Sequence, residues 1–565
     1  MSVPDRRIAS LLIVFVVLLG VGLLRAAYLE SVKSGGLQRA AAVQQVTRVN
    51  VPAVRGTITD RDGVQLALSE SADEVVADPY LIKDPVRVAK QLFPLLGKPL
   101  LTVVGLVSER HTAYVRLAHR LAADRATEIQ KLNIDGINLS PDTIRDYPRG
   151  SQAAQVLGYV GFDGQGLDGL EYGYNNVLQG SNGIRKVVND AIGQPISVDE
   201  VRSARPGKPL ALTIDSALQS EMEQVLAGIG AQYSPVGATA IAVDPTTGAI
   251  RGLANWPSVN SNDPSASPAT AWEDHAVGFS YEPGSTFKAI TVAGALQDGL
   301  ITPNTEFSIP PLLQVADREI HDAENHGYET LSVEQILQVS SNIGADKIGL
   351  MLGRKRFDHW VHQFGFGAPT GIDLPGEQRG IVLHWWQYSG SSMGNLPFGQ
   401  GESVTPMQMV AAYDAIANGG ILRPPHIVQA IGGKPLPVPP GRRIMSGAVA
   451  LELREMLRGV FADGGTASGA AISGYDLAGK TGTANIAVDG HYSGSAFVAS
   501  FIGMVPTVDP KLVVAVVVDQ PQGSIFGGSV AAPAFQKIVG WAVPYFGISP
   551  CPSPCAPSVL NGTTP

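Results

Sequence analysis

Cysteine is almost missing from this chain of 565 residues: Cys551 and Cys555 are the only two, and both fall in a Pro-rich tail. No disulfide framework can hold the body together, so its stability must come from burial. The favoured reading of the pair is two incidental cysteines, with a local or intermolecular bridge as the alternative. Charge is also scarce, at 16% against 44% hydrophobic residues, which is the balance of a folded rather than a disordered chain. Basic excess is absent: 41 Lys and Arg face 50 Asp and Glu, for a net charge of -9. Nothing overall is left to neutralise a phosphate backbone, so nucleic acid is excluded as the expected partner. The ten histidines form no H-E-x-x-H and no cysteine–histidine cluster, so neither a metal hydrolase nor any cofactor is supported. No repeat of solenoid period is visible.

Long apolar runs are missing too, with one exception. Ile8 to Leu24 is flanked by Arg6, Arg7 and Arg25. At about 1.5 Å per residue it spans roughly 26 Å, slightly short of a hydrocarbon core of about 30 Å, so Arg25 would snorkel. The run exceeds a signal-peptide core, and Arg25 occupies the -3 position for cleavage after Ala27, so an uncleaved anchor is expected. Arg25, Lys33 and Arg39 follow the span, and the positive-inside count does not orient it. The short head is the simpler cytosolic end, which leaves the body extracytoplasmic.

A chain of this length needs at least two cores. Residues 30–50 read as a stalk. The run from Val54 to Gly63 alternates and closes on Asp-Gly, a hairpin signal. Helical patterns occupy Pro85–Leu96 and Ala122–Leu132, whereas residues 147–185 read as loops and short strands. A second module begins near Arg205–Lys208: a strand at Leu210–Thr213, then a helix capped by Asp215 or Ser216 and running to about Tyr233. A hairpin over Gly237–Val243 and Ala249–Ala254 follows. Far downstream, Phe497–Val505 and Leu512–Asp519 supply two more strands, the latter almost wholly apolar and so buried on both faces. Strands at both ends with helices between them imply an α+β fold, an antiparallel sheet completed by distant segments and covered by helices.

Three islands carry the chemistry: Ser285-Thr-Phe-Lys288, Ser340-Ser-Asn342 and Lys480-Thr-Gly-Thr483. Each alone is weak, a helix cap, a polar helix residue and a turn; in this order they spell an acyl-transferring serine enzyme. Ser285 opens an apolar helical run to Leu296, where its own backbone N–H and the dipole behind it can hold an oxyanion. Lys288, three residues on, shares that face, and acts as a base only if burial and a second cation, Lys480, depress its pKa. Ser340 and Asn342 sit early in a helical pattern from Val339 to Leu352. A hydroxyl there can relay a proton to a leaving amine, and the amide can bind Lys288 and a substrate carbonyl. Lys480 to Thr483 should line a sheet edge, where an extended peptide pairs with the main chain, Gly482 permitting close approach. Thr481, Thr483 and Lys480 would receive a terminal carboxylate, and the N–H of Thr483 would join the oxyanion site.

With those islands in place, the chain resembles the class B penicillin-binding proteins, membrane-anchored peptidoglycan D,D-transpeptidases, over nearly all its length. Arg55-Gly56-x-Ile58-x-Asp60-Arg61-x-Gly63 and Gly166-Leu-Asp-Gly-Leu-Glu171 are similar to that family's non-catalytic module. Tyr281 to Lys288, Ser340 to Asn342, Phe398-Gly-Gln-Gly401 with Thr405-Pro406, and Lys480 to Thr483 are similar to its transpeptidase module. The resemblance implies a cytosolic head (1–7), an anchor (8–25), a β-rich pedestal or dimerisation module (48–205), a transpeptidase domain with a helical subdomain (206–547) and a disordered tail (548–565). It further implies that Ser285 attacks a stem peptide ending in D-Ala-D-Ala, expels D-Ala and passes the acyl group to an amine on a neighbouring strand, and that penicillins acylate the same serine. No cofactor is implied. Asp519 to Gly528 with Ala531-Ala-Pro533 resembles septal division enzymes more than elongation ones, which implies a glycosyltransferase partner of the SEDS type and other division membrane proteins. No glycosyltransferase module of the bifunctional class A type precedes the transpeptidase motifs, and no C-terminal binding repeats are expected.

The alternatives are an elongation-type enzyme, a β-lactamase or β-lactam sensor, and a scaffold with a degenerate site. The first lactamase class carries a Glu-x-x-Leu-Asn motif between the second and third islands, and none stands here; intact islands count against a scaffold. A carboxypeptidase, with water as acceptor, shares every motif.

Overall fold

The computed structural model describes residues 3–31, 46–112, 114–189, 195–488 and 491–551, and the chain divides into two units. Most of the expected stalk, and the tail beyond residue 551 with Cys555, lie outside the described residues. Cys551 itself is disulfide-bonded, so the bridge, the less favoured reading of the tail, is the one that holds.

The smaller unit takes in Met1–Val54, Glu70–Ile144 and Gly180–Gly207. Its first helix runs Val3–Ser31. Within it Ile8–Leu29 is long and apolar enough to cross a membrane, and none of that stretch is buried. At 22 residues the span reaches about 33 Å, so the shortfall expected from Ile8–Leu24 disappears. A separate antiparallel sheet is ordered Val46–Val51, Gly183–Asn189, Pro195–Arg202. The helix Pro85–Leu96 forms where its spacing predicts, with Asp84 accepting from the N–H of Arg87 and Gly97 closing it in the left-handed region at φ 64°. Val88, Leu92, Val103, Leu117 and Ile129 share its core.

The larger unit takes in Arg55–Ser69, Arg145–Gln179 and Lys208–Pro565. Its main sheet is antiparallel throughout: β1 (Gly237–Asp244), β2 (Ala249–Trp256), β3 (Ala478–Val488), β4 (His491–Val505) and β5 (Leu512–Asp519), ordered β2-β1-β5-β4-β3. All eight residues of β5 are buried, because alternate side chains enter two cores: Val513, Ala515 and Val517 join one, and Leu512, Val514, Val516 and Val518 the other. This is the two-faced burial that an uninterrupted apolar strand demands. One face is covered by helices α1 (Ser216–Tyr233) and α5 (Gly527–Tyr545). Asp215 caps α1 by accepting from the N–H groups of Ala217 and Leu218. Behind the other face lies a helical region containing α2 (Lys288–Gln297), α3 (Val333–Gln338) and α4 (Asn342–Gln363), with α2 packed on α4.

The Asp-Gly hairpin forms, Ile58–Thr59 pairing antiparallel with Gln65–Ala77. Asp60 builds its turn, Oδ1 accepting from the N–H groups of Asp62 and Val64, while Oδ2 accepts from the Ser216 hydroxyl at 2.6 Å. Residues 147–185, expected as loops and short strands, instead carry three short helices, Ala154–Leu157, Gly169–Gly173 and Asn175–Leu178. They hold a buried ion cluster: Glu171, fully buried, accepts from Arg55 Nε at 2.5 Å and Arg145 Nε at 2.7 Å, and from the Tyr147 hydroxyl at 3.3 Å. Arg55 also donates to the Glu171 carbonyl and to Asn175 Oδ1. Two guanidiniums without their carboxylate would be left buried and uncompensated. Glu171→Ala should therefore destabilise the larger unit by about 3–5 kcal/mol, read as a lowered midpoint in chemical unfolding.

Candidate active site

The serine turn is fixed from behind by backbone. Gly284–Phe287 forms a single 3-10 turn that runs into α2. The N–H of Gly284 donates to the Gly399 carbonyl at 2.9 Å, and the Tyr413 hydroxyl donates to the Thr286 carbonyl at 2.8 Å. A Cβ on Gly399 would stand 2.3 Å from the Gly284 carbonyl oxygen, so only glycine lets the Phe398–Gly401 segment approach. Tyr281 and Val404 exchange both backbone bonds. Ser285 is thus held half-buried at the end of a rigid helix, with Lys288 fully buried one turn along.

Lys288 Nζ lies 2.5 Å from the Ser340 carbonyl, 2.7 Å from Asn342 Oδ1 and 3.2 Å from Ser340 Oγ. The two short contacts use both hydrogens of a neutral amine. The third is to a hydroxyl, which can itself donate, so a lone pair is available for a proton. Burial pulls Lys288 down to about 7, while Asp322 and Asp346 pull it back up. Desolvation is thus the larger cause, where the sequence suggests a share for Lys480. Lys480, also fully buried, is pushed well below the usual lysine range by burial first and by the charge of Lys288 second. Its Nζ donates to Ser340 Oγ at 2.9 Å and lies 3.3 Å from Thr481 Oγ1. The Ser340 hydroxyl therefore bridges the two lysines.

Ser340 does not open a helix, contrary to the apolar pattern. It stands in the break between α3 and α4 with φ 64°, in the left-handed region that a serine rarely enters. That reversal belongs to the same residue whose carbonyl meets Lys288. Ser341 is the true cap of α4, accepting from the N–H of Gly344. Asn342 is the first helical residue, its Nδ2 donating to the His321 carbonyl. Asp322, which no motif marks, anchors this corner: Oδ1 accepts from the N–H groups of Asn342 and Ile343, and Oδ2 from the Ser341 hydroxyl at 2.8 Å. A carboxylate at a helix start is favoured by the helix dipole.

Lys480 to Thr483 occupies β3, the edge of the main sheet, as expected, with Lys480 opposite Ile502 and Thr483 opposite Ala499 on β4. Gly482 serves a different closeness from the one expected. A Cβ there would meet Ser500 Oγ at 2.3 Å, Thr286 Cγ2 at 3.0 Å and the Pro283 oxygen at 3.1 Å. The glycine lets the strand press on the serine turn. Thr481 is buried and its hydroxyl pairs with that of Thr466 at 2.8 Å, a second partner no motif marks. Thr483 Oγ1 accepts from the N–H of Gly527 at the start of α5, which leaves its hydrogen free to donate to an incoming group.

Histidines do gather elsewhere: His362 and His384 face Asp358 Oδ1 at 3.1 and 3.7 Å. Their rings are parallel within 10°, so their nitrogen lone pairs run side by side instead of converging on one ion, and this is a stack more than a metal centre.

A half-buried serine on a helix end, a buried lysine with a lowered pKa and a second buried lysine on an edge strand are groups of the kind that nucleophilic acyl transfer requires. The model of the penicillin binding protein transpeptidase domain matches residues 238–540, and that of the penicillin-binding protein dimerisation domain matches residues 50–212. Stage V sporulation protein D of Bacillus subtilis is 35% identical over 88% of this chain and 79% of its own length. Peptidoglycan D,D-transpeptidase FtsI of Escherichia coli is 31% identical over 93% of this chain and 89% of its own. The crystal structure of penicillin binding protein 3 from Mycobacterium tuberculosis, complexed with aztreonam, superimposes with a TM-score of 0.70 at 27% identity, covering 90% of this chain and all of that one. The chain belongs to the class B penicillin-binding proteins, the peptidoglycan D,D-transpeptidases.

Proposed function

We propose that the enzyme cross-links peptidoglycan through an acyl-enzyme on Ser285, working at the septum from the outer face of the membrane. The observation that carries the chemistry is Lys288, fully buried, brought to about 7 and hydrogen-bonded to Ser340 and Asn342. Ser285 Oγ attacks the carbonyl between the two terminal D-Ala residues of a stem peptide while its proton passes to Lys288 Nζ. The carbon–nitrogen bond then breaks, the departing D-Ala amine taking a proton through the Ser340 hydroxyl. An amine of a second strand attacks the ester, restores Ser285 and completes the cross-link. Lys480 supports this reading because a buried cation without a counter-ion is costly, and a terminal carboxylate supplies one. Thr481 and Thr483 flank it, with Gly482 holding the strand against the serine turn.

The residues from Asp519 to Gly528 support the septal assignment through their resemblance to division enzymes, as does the relative named FtsI. The domain limits set out from the sequence, the SEDS-type glycosyltransferase partner and the other division proteins belong to the same reading. So does the orientation of the apolar helix Val3–Ser31, with its short head in the cytosol.

The test follows the intact mass of the detergent-solubilised chain through time with a penicillin. One lasting adduct per chain is the expected result. An adduct that forms and clears with turnover of the drug would instead make the protein a β-lactamase, and none on folded protein would favour a scaffold. For the cellular role, depletion should give filaments; rounded cells would favour elongation.

A further inference from the structure

Two side chains of opposite charge stand at the mouth of the serine site, each held by its own neighbours. Glu282 lies three residues before Ser285. Its Oε1 accepts from the N–H of Gly401 at 3.1 Å and from the Tyr492 hydroxyl at 3.3 Å, and its Oε2 has no hydrogen-bond partner among the described residues. Arg318 is exposed on a short hairpin, Leu313–Val315 with Arg318–Ile320, just before His321, whose carbonyl holds Asn342. Its Nη1 donates to the Asn395 side-chain oxygen at 2.8 Å, in the amide orientation that also lets the Asn395 nitrogen donate to the Gly394 carbonyl. The Asn395 main-chain carbonyl accepts from the N–H of Gln400, next to Gly401, so both charges are tied to the segment that braces the serine turn. The charge of Arg318 reaches Glu282 and Tyr492, yet neither Arg318 nor Glu282 forms an ion pair among the described residues.

The edge strand gives the direction in which a bound stem peptide runs. With its terminal carboxylate at Lys480 and its reacting carbonyl at Ser285, an extended peptide on β3 continues past Thr483 toward Ala487, and Ala487 stands opposite Tyr492 on β4. Gly284 lies against that stretch: a Cβ there would stand 3.1 Å from Ala484 Cβ and 3.2 Å from the Thr483 carbonyl oxygen. The residue upstream of the two D-Ala residues therefore arrives beside Tyr492 and Glu282. We propose that Glu282 and Arg318 form a subsite for the side chain of that upstream residue, and that the side chain they fit ends in both an ammonium and a carboxylate, the ammonium on Glu282 and the carboxylate on Arg318. The proposal rests on the reading of the protein as a transpeptidase acylated at Ser285. Two opposite charges held apart by their own anchors match a ligand that carries the complementary pair at one end, and a guanidinium fork takes a carboxylate through two parallel bonds. A side chain with an ammonium alone satisfies only Glu282, and a neutral one satisfies neither. No bond is made or broken at this subsite; it holds the donor strand while Ser285 reacts.

The test is the release of D-Ala from three synthetic donor peptides, measured as kcat/KM on the full chain in detergent. The donors share the D-Ala-D-Ala end and differ only in the preceding side chain, which ends in an ammonium and a carboxylate, in an ammonium alone, or in a methyl group. Exposed ion pairs are modest, so the wild type should prefer the first donor to the second by about three- to fivefold, and the second to the third by a similar factor. Arg318→Gln should bring the first donor down to the second and keep the ratio of the second to the third. Glu282→Gln should level the second and the third. Each ratio is read within one protein, so a general loss of activity cancels. If Glu282→Gln does not fold, the Arg318→Gln ratios decide alone. Equal rates for the three donors in the wild type, or a preference for the first donor that Arg318→Gln preserves, would overturn the proposal. No release from any donor, by a chain whose Ser285 still takes up penicillin, would strike at the transpeptidase reading itself, and the subsite would fall with it.

Discussion

Ser285→Ala is expected to abolish the covalent adduct with penicillin while leaving the fold intact. The loss should be on the order of 10⁶-fold, the scale on which removing the nucleophile of a serine enzyme is felt, which in a labelling assay is no signal at all. The fold should survive because nothing that braces the turn uses the Ser285 side chain. The Gly284 to Gly399 backbone bond, the Thr286 hydroxyl on the Pro283 carbonyl and the Tyr413 hydroxyl on the Thr286 carbonyl all remain. A surface or half-buried change without such a role costs within about 0.5 kcal/mol, so unfolding midpoints should coincide. A folded alanine variant that still labels would mean that another residue is the nucleophile.

The parts of this site that a reader of the sequence can find are those in which chemistry dictates residue type at short range. Ser285 and Lys288 needed only a helix between them, and Lys480 to Thr483 needed only an apolar strand, Phe497–Val505, to lie beside. The break at Ser340 was hidden because Val339 to Leu352 keeps an apolar period across it. The signal was there in another form: Ser341 followed three residues later by Gly344, an N-cap whose hydroxyl needs that N–H. Asp322 and Thr466 had no signal of this kind. Both enter the site by a tertiary contact, Asp322 through the helix start of α4 and Thr466 through Thr481. The antiparallel sheet was legible because β5 is apolar at every position but its last, Asp519, which only a strand buried on both faces tolerates. The cluster around Glu171 was half legible: its residues stood in quotable motifs, but that Arg55 and Arg145 share one carboxylate is a property of the folded chain.

Lys288→Met should reduce acylation by about 10²–10⁴-fold, the usual contribution of a positioned general base, and Lys288→Arg should do no better. The comparison separates two roles a buried lysine can play. If Lys288 acted as a fixed charge, arginine would replace it; as a base it cannot be replaced, because a guanidinium does not release its proton in a protein. The pH profile gives the second check. With the folded-state value of Lys288 near 7, the amine is protonated below that pH, so acylation of the wild type should fall about tenfold for each further unit of acidity and level off above it. In the methionine variant the residual rate has no amine to titrate, and that limb should vanish with it. A methionine variant that keeps the limb would place the titrating base elsewhere. Lys480 is the nearest alternative, joined to Lys288 through the Ser340 hydroxyl, and the limb of Lys480→Met would then be the one to disappear.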